Sequence, residues 1–414
     1  MKSFDYRGGV FAAEAVSLAD IAERFGTPCF VYSRAALEDA FHQFDGAFGD
    51  APHLVCYAIK ANPNLAILNL LARLGCGFDI VSGGELARAI AAGADPAKIV
   101  FSGVGKTTSE MQSALEEGIH CFNVESASEL DHLDAVARRA GKRAPVSIRV
   151  NPDVDPGTHP YISTGLKENK FGVALDDALP LYRRAAGMAH ILLRGIDMHI
   201  GSQIVDLDPH LEAASKVLSL VDRLAEEGIQ LEHVDLGGGI GIRYRDEETV
   251  DPDQYALAMR RLLGNRALKL LFEPGRLLIG NAGVLLTRVI YLKPGPLHNF
   301  AIVDAAMNDL LRPALYDAWH DVLAVAPRTV PEALWQVVGP VCESADFLAR
   351  DRRLALAEGD LLAILSAGAY AMAMSSNYNS RARAAEVVVD GESTHLVRPR
   401  ETVEELFADE SLLP

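Results

Sequence analysis

Positive charge, cysteine and long apolar runs are all in short supply in this chain of 414 residues. Lys and Arg number 39 against 56 Asp and Glu, a formal charge of −17. That balance argues against nucleic acid or an anionic membrane as a partner. It leaves an anionic small molecule open, because a local field can differ from the net charge. The five cysteines (Cys29, Cys56, Cys76, Cys121 and Cys342) are odd in number and form no C-x-x-C pair. Neither a disulfide framework nor a zinc cluster is expected, and no metal site is assigned. Four of them lie in or beside apolar runs and read as packed thiols. Cys342 stands apart in GPVCESAD. The most apolar stretch, LLAILSAGAYAMAM (361–374), is too short to span a bilayer. The first residues, MKSFDYRGGVFAAEA, contain no apolar signal-peptide core. A soluble, cytoplasmic protein is the expectation.

Hydrophobic residues make up 49% of the chain, and their arrangement is regular. Short runs rich in Val, Ile, Phe and Leu recur: HLVCYAI (53–59), CGFDIV (76–81), KIVFS (98–102), HCFNV (120–124), VSIRV (146–150), GIDMHI (195–200), HVDL (233–236) and LLFE (270–273). Amphipathic stretches follow them, such as SGGELARAIAAG (82–93) and DPHLEAASKVLSLVDRLAEEG (208–228). Near-continuous apolar strands alternating with helices indicate a parallel sheet covered on both faces. Eight units point to an α/β fold of the (β/α)8, TIM-barrel type over 31–279. An open doubly wound sheet is the alternative. After residue 280 the strands VLLTRVIYL, FAIVDA, LWQVVG, DLLAIL and AEVVVD lack regular intervening helices. Residues 280–414, with 1–30, therefore read as a second, mostly antiparallel β domain.

Barrel catalysts sit at the C-terminal ends of the strands. Those ends carry Lys60 in CYAIKANPN, Asp79, Arg149, His199, the turn DLGGGIG (235–241) and Glu273. The first and eighth strands are neighbours in a closed barrel, which puts Lys60 and Glu273 at one mouth. A glycine-rich turn with free N–H groups can cradle phosphate, and EPGR (273–276) adds Arg276 one strand away. A lysine, a phosphate cradle and a carboxylate together suggest pyridoxal 5'-phosphate. Lysine would hold it as a Schiff base, and the carboxylate would keep the pyridine nitrogen protonated. A dinucleotide fold would need a fingerprint in the first β–α turn, and KANPN is not one.

With these residues in place, the chain resembles the diaminopimelate decarboxylases, fold-type III pyridoxal-phosphate enzymes grouped with alanine racemase and ornithine decarboxylase. The likeness runs nearly end to end through YAIKAN, DIVSGGE, HPYISTGLKENKFG, HIGSQ, DLGGGIG, EPGR, MNDLLRPALY, GPVCESAD and GAYAMAMSSNYN. The resemblance implies that Lys60 is the Schiff-base lysine and that His199 stacks on the cofactor ring. Asp79, Glu85 and Arg149 support the lysine and ring. Ser202, Gly237, Gly238, Gly239, Gly275 and Arg276 hold the phosphate, and Glu273 meets the pyridine nitrogen. Cys342 is the proton donor. Arg276, Arg312, Tyr316, Glu343 and Tyr370 bind substrate, with Tyr370 also near the cofactor. The implied reaction is decarboxylation of meso-2,6-diaminopimelate to L-lysine and carbon dioxide, the last step of bacterial lysine synthesis. The implied assembly is a homodimer whose partner donates the Cys342–Glu343 segment. The competing readings are a same-fold decarboxylase of ornithine, arginine, lysine or carboxynorspermidine, and a non-catalytic binder of the cofactor. Arg312 and the CES segment favour a substrate with a distal carboxylate.

Overall fold

The run His53–Ala58 is buried along almost its whole length, as a strand covered on both faces must be. Seven more strands of the same kind follow it in the computed structural model, which describes residues 3–155, 157 and 169–414. They are labelled β1 (His53–Ala58), β2 (Gly77–Ile80), β3 (Ile99–Phe101), β4 (Cys121–Val124), β5 (Ala144–Asn151), β6 (Ile191–Asp197), β7 (His233–Asp235) and β8 (Lys269–Phe272). All pair in parallel in chain order. The ring closes where Leu270, Leu271 and Phe272 of β8 stand opposite His53, Leu54 and Val55 of β1. Closure decides for the barrel over the open sheet.

The crossovers are helices whose starts are written locally. Asn64, Ser82 and Ser126 each place a side-chain oxygen on a free N–H of the helix that follows, at Leu65–Arg73, Gly83–Ala91 and Ala127–Ala140. Such a cap stabilises a helix by about 1 kcal/mol. The outer layer packs on the barrel through aromatic rings. Phe44, Phe48 and Tyr255 surround Phe272 of β8 at centroid distances of 5.7, 4.4 and 5.9 Å. Full burial of each such ring contributes roughly 1.5–3 kcal/mol.

Two compact units emerge from the contacts. One holds Phe41–Ile242 and Glu248–Leu277; the other holds Met1–Ala40, Arg243–Glu247 and Leu278–Pro414. The second unit is built on a mixed, antiparallel-rich sheet. Its long strand Gly283–Lys293 pairs antiparallel with Asn299–Val303, with Leu361–Ile364 and with Cys29–Ser33. Two pairings are parallel: Asn299–Val303 with Ala333–Val338, and Cys29–Ser33 with Ala385–Asp390. Val31, Val284, Leu286, Val387 and Val389 form its core with Phe4 and Phe11.

Two local readings differ from expectation. β6 begins at Ile191 and ends at Asp197, so His199 lies two residues past the strand instead of within it. Exposed Leu192 and half-buried Arg194 break the apolar run at its start, which hides those residues in the sequence. The strand Phe347–Leu354 was not expected at all. Its solvent face carries Arg350, Asp351 and Arg353, so no apolar run marks it. Residues 159–168 of HPYISTGLKENKFG lie outside the described residues. Among the described residues no helix is long and apolar enough to cross a membrane.

Candidate active site

β1 ends at Ala58 and turns at once into a single 3-10 turn, Ile59–Ala61, which carries Lys60. The β1 backbone is tied to the end of β8 by a hydrogen bond from Ala58 N to Pro274 O of 3.1 Å. This link sets Lys60 beside the segment that bears Glu273. The Lys60 side chain stays about one-third exposed, and its Nζ meets Oδ2 of the fully buried Asp79 of β2 at 2.6 Å. A buried carboxylate at that distance favours positive charge on the nitrogen and fixes its position.

Glu273 is 5% exposed. Its Oε1 accepts from Ser102 Oγ at 3.4 Å and from Asn123 Nδ2 at 3.3 Å, so its carboxyl is held by β3 and β4 residues. Burial is the largest cause that pushes its pKa well above the usual carboxylate range, with the charge of Asp235 next.

The glycine turn after β7 is a packing solution. A Cβ on Gly237 would lie 2.4 Å from Met198 O, one on Gly238 2.1 Å from Glu273 O, and one on Gly239 2.3 Å from Gly201 O. All three clashes are with backbone. Gly237 and Gly239 also adopt φ of 65° and 97°, where side chains are strained. The expectation of free N–H groups needs correction here. Gly237 N donates to Asp235 Oδ1 at 2.9 Å, and Gly238 N donates to His199 Nδ1 at 3.2 Å. The turn thus spends two of its donors on fixing an aspartate and a histidine. The second of these bonds gives Nδ1 the acceptor role and locks the ring. Burial, reinforced by Arg149 and Lys60, lowers the His199 pKa well below its ordinary value, so the ring is neutral. Close by in the chain, Ser202 Oγ accepts from Arg276 at 3.0 Å, and this arginine is 4% exposed. A buried cation beside a hydroxyl is suited to an anion.

The other barrel residues separate in the structure. Arg149 of β5 pairs with Glu125 at 3.1 Å and lies 3.8 Å from Asp197. Glu85 caps the start of its own helix, accepting from Val81 N at 2.7 Å; burial raises its pKa to about 7. In the second unit, Arg312 opens a short helix and lies over the rings of Tyr244 and Tyr316 at 5.2 and 5.8 Å. Tyr378 donates from its hydroxyl to Glu343, and Cys342 N donates to Asn379 Oδ1 at 2.9 Å. Tyr370 adopts φ 55°, a left-handed conformation costly for an aromatic residue. The other four cysteines are buried, and burial raises Cys29 and Cys76 to about 12; Cys342 alone of the five is exposed.

Residues 34–280, which carry Lys60, Glu273 and the glycine turn, match the family described as pyridoxal-dependent decarboxylase, pyridoxal binding domain. The chain belongs to that family. A diaminopimelate decarboxylase of Pseudomonas aeruginosa is 62% identical to it over 414 residues, covering all of both chains. The crystal structure of diaminopimelate decarboxylase from Helicobacter pylori, complexed with L-lysine, superposes with a TM-score of 0.93. Its identity is 42%, over 95% of this chain and 99% of that one. The enzyme from M. jannaschii in co-complex with L-lysine gives a TM-score of 0.95 at 38% identity, over 100% and 98%. This enzyme's cofactor is therefore pyridoxal phosphate, and the donor set fits it: a lysine at the barrel mouth, a buried carboxyl by the neighbouring strand, and a buried guanidinium with a hydroxyl.

Sequence reasoning missed several polar residues inside this decarboxylase barrel. Asp197 and Asp235 end β6 and β7 and are fully buried, as is Asn123 of β4. Ser102 and Glu125 also escaped notice. The signal was present, since GIDMHI and HVDL each carry a carboxylate inside an apolar run.

Proposed function

We propose that this chain catalyses the decarboxylation of meso-2,6-diaminopimelate to L-lysine and carbon dioxide. The observation that carries the reading is the Lys60–Asp79 pair at the mouth of a closed eight-stranded barrel whose neighbouring strand leads to Glu273. The names and L-lysine complexes of the relatives support the choice of substrate and product.

Pyridoxal phosphate, when bound, supplies an electron sink for the pair left by the breaking bond to the carboxylate. The rest falls to the chain. Lys60 Nζ is the covalent anchor, and Asp79 holds that nitrogen in place and favours its positive form. Ser202 and Arg276 hold the phosphate with Gly239 and Gly275, while Gly237 and Gly238 shape the turn. His199, neutral and oriented by Gly238, presents a flat ring face for stacking. Glu273 meets the pyridine nitrogen. Arg149 and Glu85 are supporting groups, Arg149 through Glu125 and Asp197. As the resemblance implies, Arg312 and Tyr316 receive the distal carboxylate, Glu343 the distal ammonium, and Tyr370 lines the substrate end. A planar guanidinium matches a carboxylate with two parallel hydrogen bonds. Cys342 returns a proton to the carbon that carbon dioxide has left, its thiol S–H being the donor.

The working unit is a homodimer in this proposal. Exposure of Cys342 and Glu343 in the single chain supports it, because a proton donor and an ammonium partner act best when a second surface dries them. The Lys60→Ala variant tests the core of the reading. It should lose both the visible absorption of bound cofactor and carbon dioxide release from diaminopimelate. Retention of both would refute the anchor.

A further inference from the structure

The barrel interior holds more carboxylates than its cations can neutralise. Asp197 ends β6, Asp235 ends β7 and Glu273 follows β8. One oxygen from each lies within 4.8 Å of the other two. The neighbouring ionisable groups can be placed one by one. Lys60 is engaged by Asp79 at 2.6 Å. Arg149 is engaged by Glu125 at 3.1 Å and stands 3.8 Å from Asp197. Cys56, Cys121, Tyr182 and Tyr255 feel the charge of these carboxylates, and burial keeps all four neutral. His199 is neutral as well. Five carboxyl groups, Asp79, Glu125, Asp197, Asp235 and Glu273, therefore face two cations, Lys60 and Arg149.

A second observation is independent of this count. Asp197 Oδ1 and Asp235 Oδ2 are sealed from solvent, and neither accepts a hydrogen bond from a donor among the described residues. A bare buried carboxylate oxygen is costly, and two such groups side by side do not both ionise. A proton on one carboxyl corrects both faults. It removes a charge, and it offers the neighbouring oxygen an O–H donor.

We propose that Asp235 and Glu273 share a proton at neutral pH, and that Asp235 is thereby a positioning residue for Glu273, keeping on it the proton that Glu273 passes to the pyridine nitrogen of the cofactor. The second half rests on the reading of Glu273 as the ring partner; the first half does not. The transfer balances internally. An O–H bond breaks at Glu273, an N–H bond forms on the ring, and the carboxylate left behind pairs with the new positive charge. Burial first, and then the charge of Asp79, raise the pKa of Asp235 to about 7 against the opposing hydrogen bond from Gly237 N–H, which agrees with a retained proton. Ser102 and Asn123 hold Glu273 Oε1 and fix the direction in which its carboxyl faces.

Infrared spectroscopy of the apoenzyme tests the first half without cofactor. At pH 7 in D2O the wild type should show a protonated-carboxyl band that Asp235→Asn removes. Should that variant fail to fold, Glu273→Gln gives the same reading. No band, or a band unchanged in the variants, overturns the shared proton. Proton uptake during cofactor binding to the apoenzyme, measured calorimetrically in buffers of different ionisation enthalpy, tests the second half. Lys60 and the phosphate contribute equally to both proteins, so the difference isolates the cluster. Asp235→Asn should draw about one more proton from solvent per cofactor bound than the wild type. Equal uptake, with the infrared band present, overturns the transfer and the ring-partner reading while the shared proton stands.

Discussion

A methyl group placed on Gly238 should damage cofactor binding and turnover more than it damages the fold. The added Cβ would lie 2.1 Å from Glu273 O and 2.9 Å from Glu273 C, both backbone atoms, where ordinary contact begins at 3.4 Å. Either the turn or the end of β8 must therefore retreat by about 1.3 Å, the difference between 3.4 and 2.1 Å. Overpacking of this kind costs roughly 1–3 kcal/mol of stability. The same displacement moves Glu273 and breaks the bond from Gly238 N that orients His199. A shift of about 1 Å in reacting groups lowers rate by roughly 100-fold. Gly238→Ala should thus melt a few degrees below wild type as apoenzyme, and kcat/KM should fall by about two orders of magnitude. Gly46→Ala is the control, since its Cβ would meet nothing within 4 Å; its effect on stability should stay within about 1 kcal/mol. Thermal melts, a visible-absorption titration with cofactor and steady-state kinetics on all three proteins give the answer. A Gly238→Ala enzyme that binds cofactor and turns over like wild type would refute the reasoning.

Three further outcomes are expected. Cys342→Ala removes an exposed thiol, so stability should change by no more than about 0.5 kcal/mol; kcat should drop roughly 10²–10⁴-fold with the absorption of bound cofactor intact. Unchanged turnover would remove Cys342 from the acid role. Arg312→Ala removes a bidentate partner worth roughly 1.5–3 kcal/mol, so kcat/KM for diaminopimelate should fall about 10- to 150-fold; a variant that loses nothing would place the distal carboxylate elsewhere. The apoenzyme should also show an unusual pH dependence. Asp235 titrates at about 7 in the fold and at about 3.9 when unfolded, so the native state binds the extra proton between those values. Its contribution to stability is then present at low pH and lost as pH rises through this window, by about 1.4 kcal/mol per pH unit. Denaturant melts from pH 4 to 8 should fall less steeply with pH for Asp235→Asn than for wild type, and parallel curves would contradict the assignment.

Periodicity made the barrel legible. Most of its strands are short, apolar and doubly covered, so HLVCYA or CFNV announces itself without reference to the rest of the chain. Phe347–Leu354 could not be found that way, because four charged residues in a row, Arg350 to Arg353, break any apolar run. Lys60 and Glu273 were legible because strand order makes the first and eighth neighbours, although 213 residues part them (273 − 60). The destination of each polar atom was not. That Gly237 and Gly238 donate inward to Asp235 and His199 follows from the path of the turn over Met198 and Gly201, which no spacing encodes. The Asp197–Asp235–Glu273 cluster was hidden for a related reason. Its members come from the ends of three adjacent strands, and only their side-by-side pairing brings them together.

The central claim is one of substrate. Carbon dioxide release by the cofactor-loaded enzyme, measured in parallel on meso-diaminopimelate, ornithine and lysine, tests it most directly. A site built for a distal carboxylate should discriminate against amino acids lacking one by roughly 10⁴-fold or more. The account predicts rapid release from diaminopimelate and almost none from the other two. Comparable rates on ornithine or lysine would contradict it.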